Sequence, residues 1–272
     1  MDAISFETEC SIMKNRKSIV LDVISAGSTV EEKLRIAKEA GFAAVEASAV
    51  ETDEERQQIA ELYKKYDLVC PSIMGHGAWE NPATSPDPEV RKRSAYWLRQ
   101  GILTAKALGA DTLLVVPGVV NADIDYETAW ENSHKVINEV LPFAAENGIY
   151  LAIEEVWNKF LLSGREMAEF IDSFDSPWVK AYFDIGNILF YGYPQHWIKS
   201  LGSRIAKIHV KGFKQEGLTL KWVQLLEGDI NWKACMDQLR AIGFDGYITA
   251  ELGPDERGYK GIADDLDVIL SM

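Results

Sequence analysis

Histidine, cysteine and positive charge are all scarce in this chain, which holds 4 His and 3 Cys in 272 residues. Cys10, Cys70 and Cys235 are odd in number and far apart, with no paired Cys motif. That excludes a disulfide framework and a metal cage built on paired thiolates. Lys and Arg total 28 against 42 Asp and Glu, a net charge of −14. Such a field repels a phosphate backbone, and the densest basic run, Arg91-Lys92-Arg93, falls in a predicted helix. Nucleic acid is therefore excluded as a partner. No apolar run approaches the length of a membrane span. The opening MDAISFETECSIMKNRK lacks the apolar segment of a signal peptide. The expectation is a reducing, cytoplasmic setting with no membrane contact.

What the chain has in quantity is core material: 47% hydrophobic residues and 10% aromatics, a globular composition. Short runs rich in Val, Ile and Leu alternate with longer stretches of helical periodicity. SIVLDV (18–23), FAAVEA (42–47), LVCPSI (68–73), DTLLVV (111–116), IYLAIE (149–154), VKAYFD (179–184), IAKIHV (205–210) and GYITAE (246–251) read as strands. Helices are predicted over 30–41, 53–66, 89–109, 126–148, 164–174, 194–202, 231–243 and 261–272. Thr29 and Gly41 suit the two ends of the first helix, and Asn231 suits the N-cap of the seventh. Regular βα alternation implies a parallel sheet. Eight such units in roughly 250 residues suit one closed (β/α)₈ TIM barrel. The expected organisation is an α/β barrel over 18–272 with a short N-terminal extension, 1–17. An open doubly wound sheet is the rival, but its Gly-rich dinucleotide fingerprint is missing.

Barrel active sites lie at the C-terminal ends of the strands. Those ends here carry Asp22, Glu46, Glu154, Asp184, His209 and Glu251. Side chains alternate along a strand, so parity decides which face the axis. Leu151 and Ile153 suit the helix-facing side, which turns Ala152 and Glu154 inward. The same argument turns Tyr182 and Asp184, Lys207 and His209, and Tyr247, Thr249 and Glu251 inward. Glu155 starts on the opposite side and is expected in the turn that follows. Three carboxylates and an imidazole on four successive strands call for a compensating cation. Three oxygens and one nitrogen favour Mn²⁺ or Mg²⁺, with Zn²⁺, Co²⁺ and Fe²⁺ also compatible. One divalent metal ion on Glu154, Asp184, His209 and Glu251 is the expectation. Any one of these acids alone would read as a solvated loop residue or a helix cap.

LAIEEVWNKFLLS, YFDIGNILFYGYPQHWI, RIAKIHVKGF followed by EGDINW, and YITAEL carry a resemblance over about 18 to 272. The chain resembles the xylose-isomerase-like barrel superfamily of sugar-phosphate isomerases and epimerases, and within it the ketose 3-epimerases and hexulose-phosphate epimerases. The resemblance implies a metal, commonly Mn²⁺, on Glu154, Asp184, His209 and Glu251. It also implies that Glu154 and Glu251 act as acid and base on a sugar or sugar phosphate. Two departures stand out. Many relatives carry a substrate-contacting histidine three residues after the sixth-strand aspartate, where this chain has Asn187. The fifth-strand motif Glu-x-x-Asn-Arg of the tagatose-epimerase type is one residue longer here, as Glu154-Glu155-Val156-Trp157-Asn158-Lys159.

Such a site suits proton removal next to a carbonyl, because a Lewis acid stabilises the resulting enediolate. Epimerisation needs Glu154 and Glu251 on opposite faces of that enediolate. Aldose–ketose isomerisation uses the same parts. Further substrate contacts are expected from His76, Glu46, Asn187, Lys211 and Trp157. Four of them have a plainer reading: surface loop for His76, a group behind the ligands for Glu46, a solvated chain for Lys211, lid packing for Trp157. The alternative activity is a metal-dependent dehydratase of a cyclic polyol or shikimate-type acid. An abasic-site endonuclease needs more histidine, and a sugar-binding protein would not need the quartet. A homo-oligomer is left open.

Overall fold

The computed structural model describes residues 16–217 and 219–272. The expected extension falls, through residue 15, outside the described residues, and Lys17 already opens the first strand. The strands among the described residues are β1 (Lys17–Val20), β2 (Ala44–Ser48), β3 (Ile73–Met74), β4 (Thr112–Val115), β5 (Tyr150–Glu154), β6 (Val179–Asp184), β7 (Ile205–Val210), β8 (Gly212–Glu216), β9 (Thr219–Val223) and β10 (Ile248–Ala250). Eight close into a parallel barrel, ordered β1-β10-β7-β6-β5-β4-β3-β2, and β8 and β9 form a separate antiparallel hairpin. The helices among the described residues are α1 (Val30–Ala40), α2 (Asp53–Lys65), α3 (Pro88–Leu108), α4 (Tyr126–Asn147), α5 (Gly164–Asp172), α6 (Ile185–Ile188), α7 (Pro194–Leu201), α8 (Trp232–Ala241) and α9 (Gly258–Leu270). None of the described helices is long and apolar enough to cross a membrane.

Local chemistry explains the boundaries. Thr29 and Glu32 cap the start of α1 reciprocally, and Gly41 closes it at φ 96°. Thr52 and Glu55 repeat the box on α2. Asn231 Oδ1 accepts the Ala234 N–H at 3.0 Å and starts α8. The third predicted strand, 68–73, is cut short. Val69 bridges Ala44 before Pro71 interrupts the run, and the ladder resumes only at Ile73. Proline has no N–H for it. The first strand ends at Val20, where Leu21–Val23 turn into a 3₁₀ helix.

Two apolar layers follow from strand alternation. Leu151, Ile153, Ala181, Phe183, Ile208 and Val210 pack outward in the large core beneath the helices. Leu114, Ala152 and Tyr182 pack together inside the barrel. Between β6 and β7 the register shifts at Ala181/Tyr182, and beyond the shift Asp184 stands level with His209. That irregularity aligns two of the side chains that matter most at the mouth.

Two features escaped the sequence reading. The β8–β9 hairpin lies between the predicted seventh strand and seventh helix, where no element was predicted. The short helix α6 begins directly on Asp184, whose side chain accepts the Asn187 N–H at 2.9 Å as its N-cap.

Candidate functional site

The parallel barrel delivers Glu154 at the end of β5, Asp184 at the end of β6 and His209 in β7. Glu251 directly follows β10, and its N–H continues the ladder to the Val210 carbonyl at 2.9 Å. One ligand atom from each of these four residues lies within 4.8 Å of the others. Glu154, Asp184 and His209 are buried, whereas Glu251 keeps 23% side-chain exposure and faces the opening.

Hydrogen bonds decide which atoms remain free. His209 Nε2 lies 2.6 Å from Glu46 Oε2, and its Nδ1 lies 3.0 Å from Glu154 Oε1 and 3.3 Å from Glu251 Oε2. The Tyr182 hydroxyl donates to the other Glu46 oxygen at 2.9 Å, and Ser72 Oγ sits 3.1 Å from that hydroxyl. Ser72, Tyr182, Glu46 and His209 thus form one buried chain beneath the mouth. Its direction leaves Nδ1 for the ring of acids. Asp184 Oδ1 is taken by the Asn187 N–H, which leaves Oδ2. Lys211 Nζ stands 2.9 Å from Asp184 Oδ2 and 2.6 Å from Glu251 Oε2. Both contacts are charge pairs without hydrogen-bond geometry, and both oxygens are buried without a hydrogen-bond partner. Partnerless buried oxygens of this kind suit a cation. Three carboxylates and one imidazole nitrogen could therefore hold a divalent metal ion.

The electrostatics are uneven. Burial pushes the Glu154 carboxyl up to about 7 against the pull of His209. Burial works the same way on Glu251, yet His209 and Lys211 hold it at about 2. Burial disfavours a charged His209, but the oxygens of Tyr182, Glu46, Glu251 and Glu154 carry its pKa well above the histidine range. Glu155 is buried behind the ring, and its Oε1 accepts the Asp184 N–H at 3.0 Å. Burial first, then Glu154 and Asp184, drive its pKa well above the carboxylate range. It lies in the connection after β5, as expected, and is buried there. It props the strand end that carries Asp184.

The expected substrate contacts divide. Glu46 was expected against substrate, but it is fully buried with its oxygens engaged by His209 and Tyr182. Asn187 is buried, and its side-chain amide donates to the Glu155 carbonyl at 3.2 Å. It binds two loops together instead of standing free in the opening. His76 is exposed in the loop after β3, against the Trp97 ring at 4.3 Å, and is not among the four clustered groups. Trp157 is 44% exposed and donates its indole N–H to the Asn187 carbonyl at 3.1 Å. Its ring meets Phe213 at 5.2 Å and Phe190 at 5.9 Å, so it belongs to an aromatic lip. Lys211 lies in the ring itself. Tyr182 was missed as a site residue, although its parity with Asp184 was visible in the run VKAYFD.

Known proteins share this arrangement of strands. The chain is similar to the L-ribulose-5-phosphate 3-epimerase UlaE of Salmonella paratyphi A, 25% identical over 244 residues, 84% of each chain. The structure of a D-tagatose 3-epimerase-like protein superposes with a TM-score of 0.82 at 19% identity, covering 94% of this chain and 97% of that one. The structure of an L-ribulose 3-epimerase gives a TM-score of 0.79 at 18% identity, covering 94% of both chains. The sequence profile of the xylose isomerase-like TIM barrel matches residues 34–271, and the chain belongs to that family.

Proposed function

We propose that this chain is a metal-dependent epimerase of a ketose or ketose phosphate. The observation that carries this reading is the convergence of Glu154, Asp184, His209 and Glu251 within 4.8 Å at the barrel mouth. The relatives named as 3-epimerases of ribulose and its phosphate support the substrate class. Glu154, Asp184, His209 and Glu251 would hold the ion, which supplies a Lewis acid for the substrate carbonyl and its neighbouring hydroxyl.

The protein's own groups do the proton work. Glu154 and Glu251 flank His209 Nδ1 from opposite sides of the barrel order, with β6 and β7 between their strands. In the metal-free site burial raises the Glu154 carboxyl to about 7, whereas His209 and Lys211 hold Glu251 ionised. With an ion bound both would be ionised, so one would take the proton from one face and the other, once protonated, would return one on the opposite face. Trp157 and Trp222, both exposed and both packed on the buried Phe213, would offer apolar faces to a sugar ring.

The test is proton exchange. Protein loaded with Mn²⁺ is incubated in deuterated water with L-ribulose 5-phosphate and, separately, with D-tagatose and D-psicose. The expected result is an epimer carrying deuterium at the carbon beside the carbonyl. An aldose product would replace epimerisation by isomerisation. An unsaturated product that has lost water would replace both by dehydration. Elemental analysis after desalting tests the ion: an Asp184→Ala/His209→Ala double variant should retain far less Mn²⁺ than the wild type.

A further inference from the structure

We infer that Lys211 is a built-in rival of the divalent ion, and so a positioning residue that sets how tightly the site holds metal. This rests on the metal reading above and adds a residue to it. The Lys211 ammonium claims Asp184 Oδ2 at 2.9 Å and Glu251 Oε2 at 2.6 Å. These are fully buried ring oxygens with no hydrogen-bond partner, so the ion and the ammonium want the same atoms.

The fold is shaped to bring that ammonium there. Lys211 directly follows β7 and is 6% exposed, unusual for a lysine. Its stem runs across Gly186, where an added Cβ would lie 2.3 Å from Lys211 Cγ and 2.9 Å from the Lys211 carbonyl oxygen. The glycine of Asp184-Ile185-Gly186-Asn187 is thus a groove for the lysine. On its other side Nζ sits 5.9 Å from the centre of the Trp222 ring, so the ammonium has an aromatic face as a second partner.

Without the lysine the ring carries three negative charges and has no rival for its oxygens. Lys211→Met should therefore bind Mn²⁺ at least tenfold more tightly than the wild type, read by calorimetric titration. With metal removed, the variant should melt below the wild type, because its buried carboxylates lose their cation. Mn²⁺ should raise its melting temperature by more than it raises that of the wild type. Lys211→Arg should stay near wild-type affinity. If Lys211→Met does not fold without metal, refolding in Mn²⁺ and competition against a chelating indicator gives the same constant. Equal or weaker Mn²⁺ binding in the variant, beside measurable binding in the wild type, overturns this inference and leaves the metal reading standing. Absence of Mn²⁺ binding in both overturns the metal reading and this one with it. Tight binding in the variant alone supports both.

Discussion

His209 Nε2 lies 2.6 Å from Glu46 Oε2, with both side chains fully buried, and this one contact settles which imidazole nitrogen faces the acids. A carboxylate behind a metal-binding histidine fixes its tautomer and raises its basicity. Glu46→Gln keeps the shape and loses the charge. It should weaken Mn²⁺ binding by about 10- to 100-fold. Tyr182→Phe removes only the hydrogen bond to the other Glu46 oxygen and should cost less. Titration calorimetry ranks them. ¹⁵N shifts of neutral His209 in metal-free protein at high pH should show Nε2 protonated in the wild type and a mixed tautomer in Glu46→Gln. An unchanged tautomer would remove Glu46 from this role.

Metal affinity should rise with pH. Glu154 is pushed up to about 7 and His209 lies well above its usual range, so both carry protons at pH 6. A metal ion needs both bare and must displace those protons. The constant for Mn²⁺ should climb between pH 6 and 8 by roughly tenfold per unit for each proton displaced. Calorimetry in buffers of different ionisation enthalpy counts the protons directly. A flat profile would contradict the elevated pKa values.

Glu155→Gln should spare metal binding and alter the pH dependence of stability. Its folded pKa is raised well above the ordinary value, so at neutral pH the folded state holds a proton that the unfolded state has released. Folding stability therefore falls as pH rises above about 4.5, the unfolded range of a glutamate. The amide cannot titrate, and its oxygen can still accept the Asp184 N–H. Thermal melts at pH 5 and pH 8 should show a smaller loss for the variant than for the wild type. Glu154→Gln, in contrast, should lose much of its Mn²⁺ affinity.

Much of the barrel was legible because its strands are buried on both faces and read as apolar runs between capped helices. Alternation within those runs separates Leu151 and Ile153, which pack beneath the helices, from Ala152 and Tyr182 inside the barrel. The four clustered ligands stand out for the same reason: acids and a histidine where an apolar strand should simply end. The hairpin was hidden because Gly212–Glu216 and Thr219–Val223 are short, largely polar and half solvated, with no run to betray them. The roles of Glu46 and Lys211 were hidden by distance. Glu46 meets His209 across 163 positions of chain, and only closure of the barrel brings them together. Glu155 follows β5 outside the cluster, as parity suggests, but its burial was hidden because alternation says nothing of packing beyond the end of a strand.

Gly186→Ala should destabilise the protein by about 1–3 kcal/mol, the usual cost of overpacking. The added methyl would meet the Lys211 carbonyl oxygen at 2.9 Å as well as the flexible stem, so a rotamer change alone cannot relieve it. Denaturant titration of metal-free protein measures the loss. Wild-type stability would mean that the loop after β6 yields easily.

The hairpin formed by β8 and β9 hydrogen-bonds only to itself among the described strands. The barrel ladder closes without it, since β7 pairs directly with β10. Substitutions at its exposed positions, such as Lys214, Gln215, Lys221 and Trp222, therefore leave the ladder untouched, while Asp184, His209 and Glu251 stand on or beside that shared ladder. On the proposed reading, the walls of the opening and the clustered acids would be inherited on separate pieces of chain, and the appendage could be rewritten while the cluster stayed as it was.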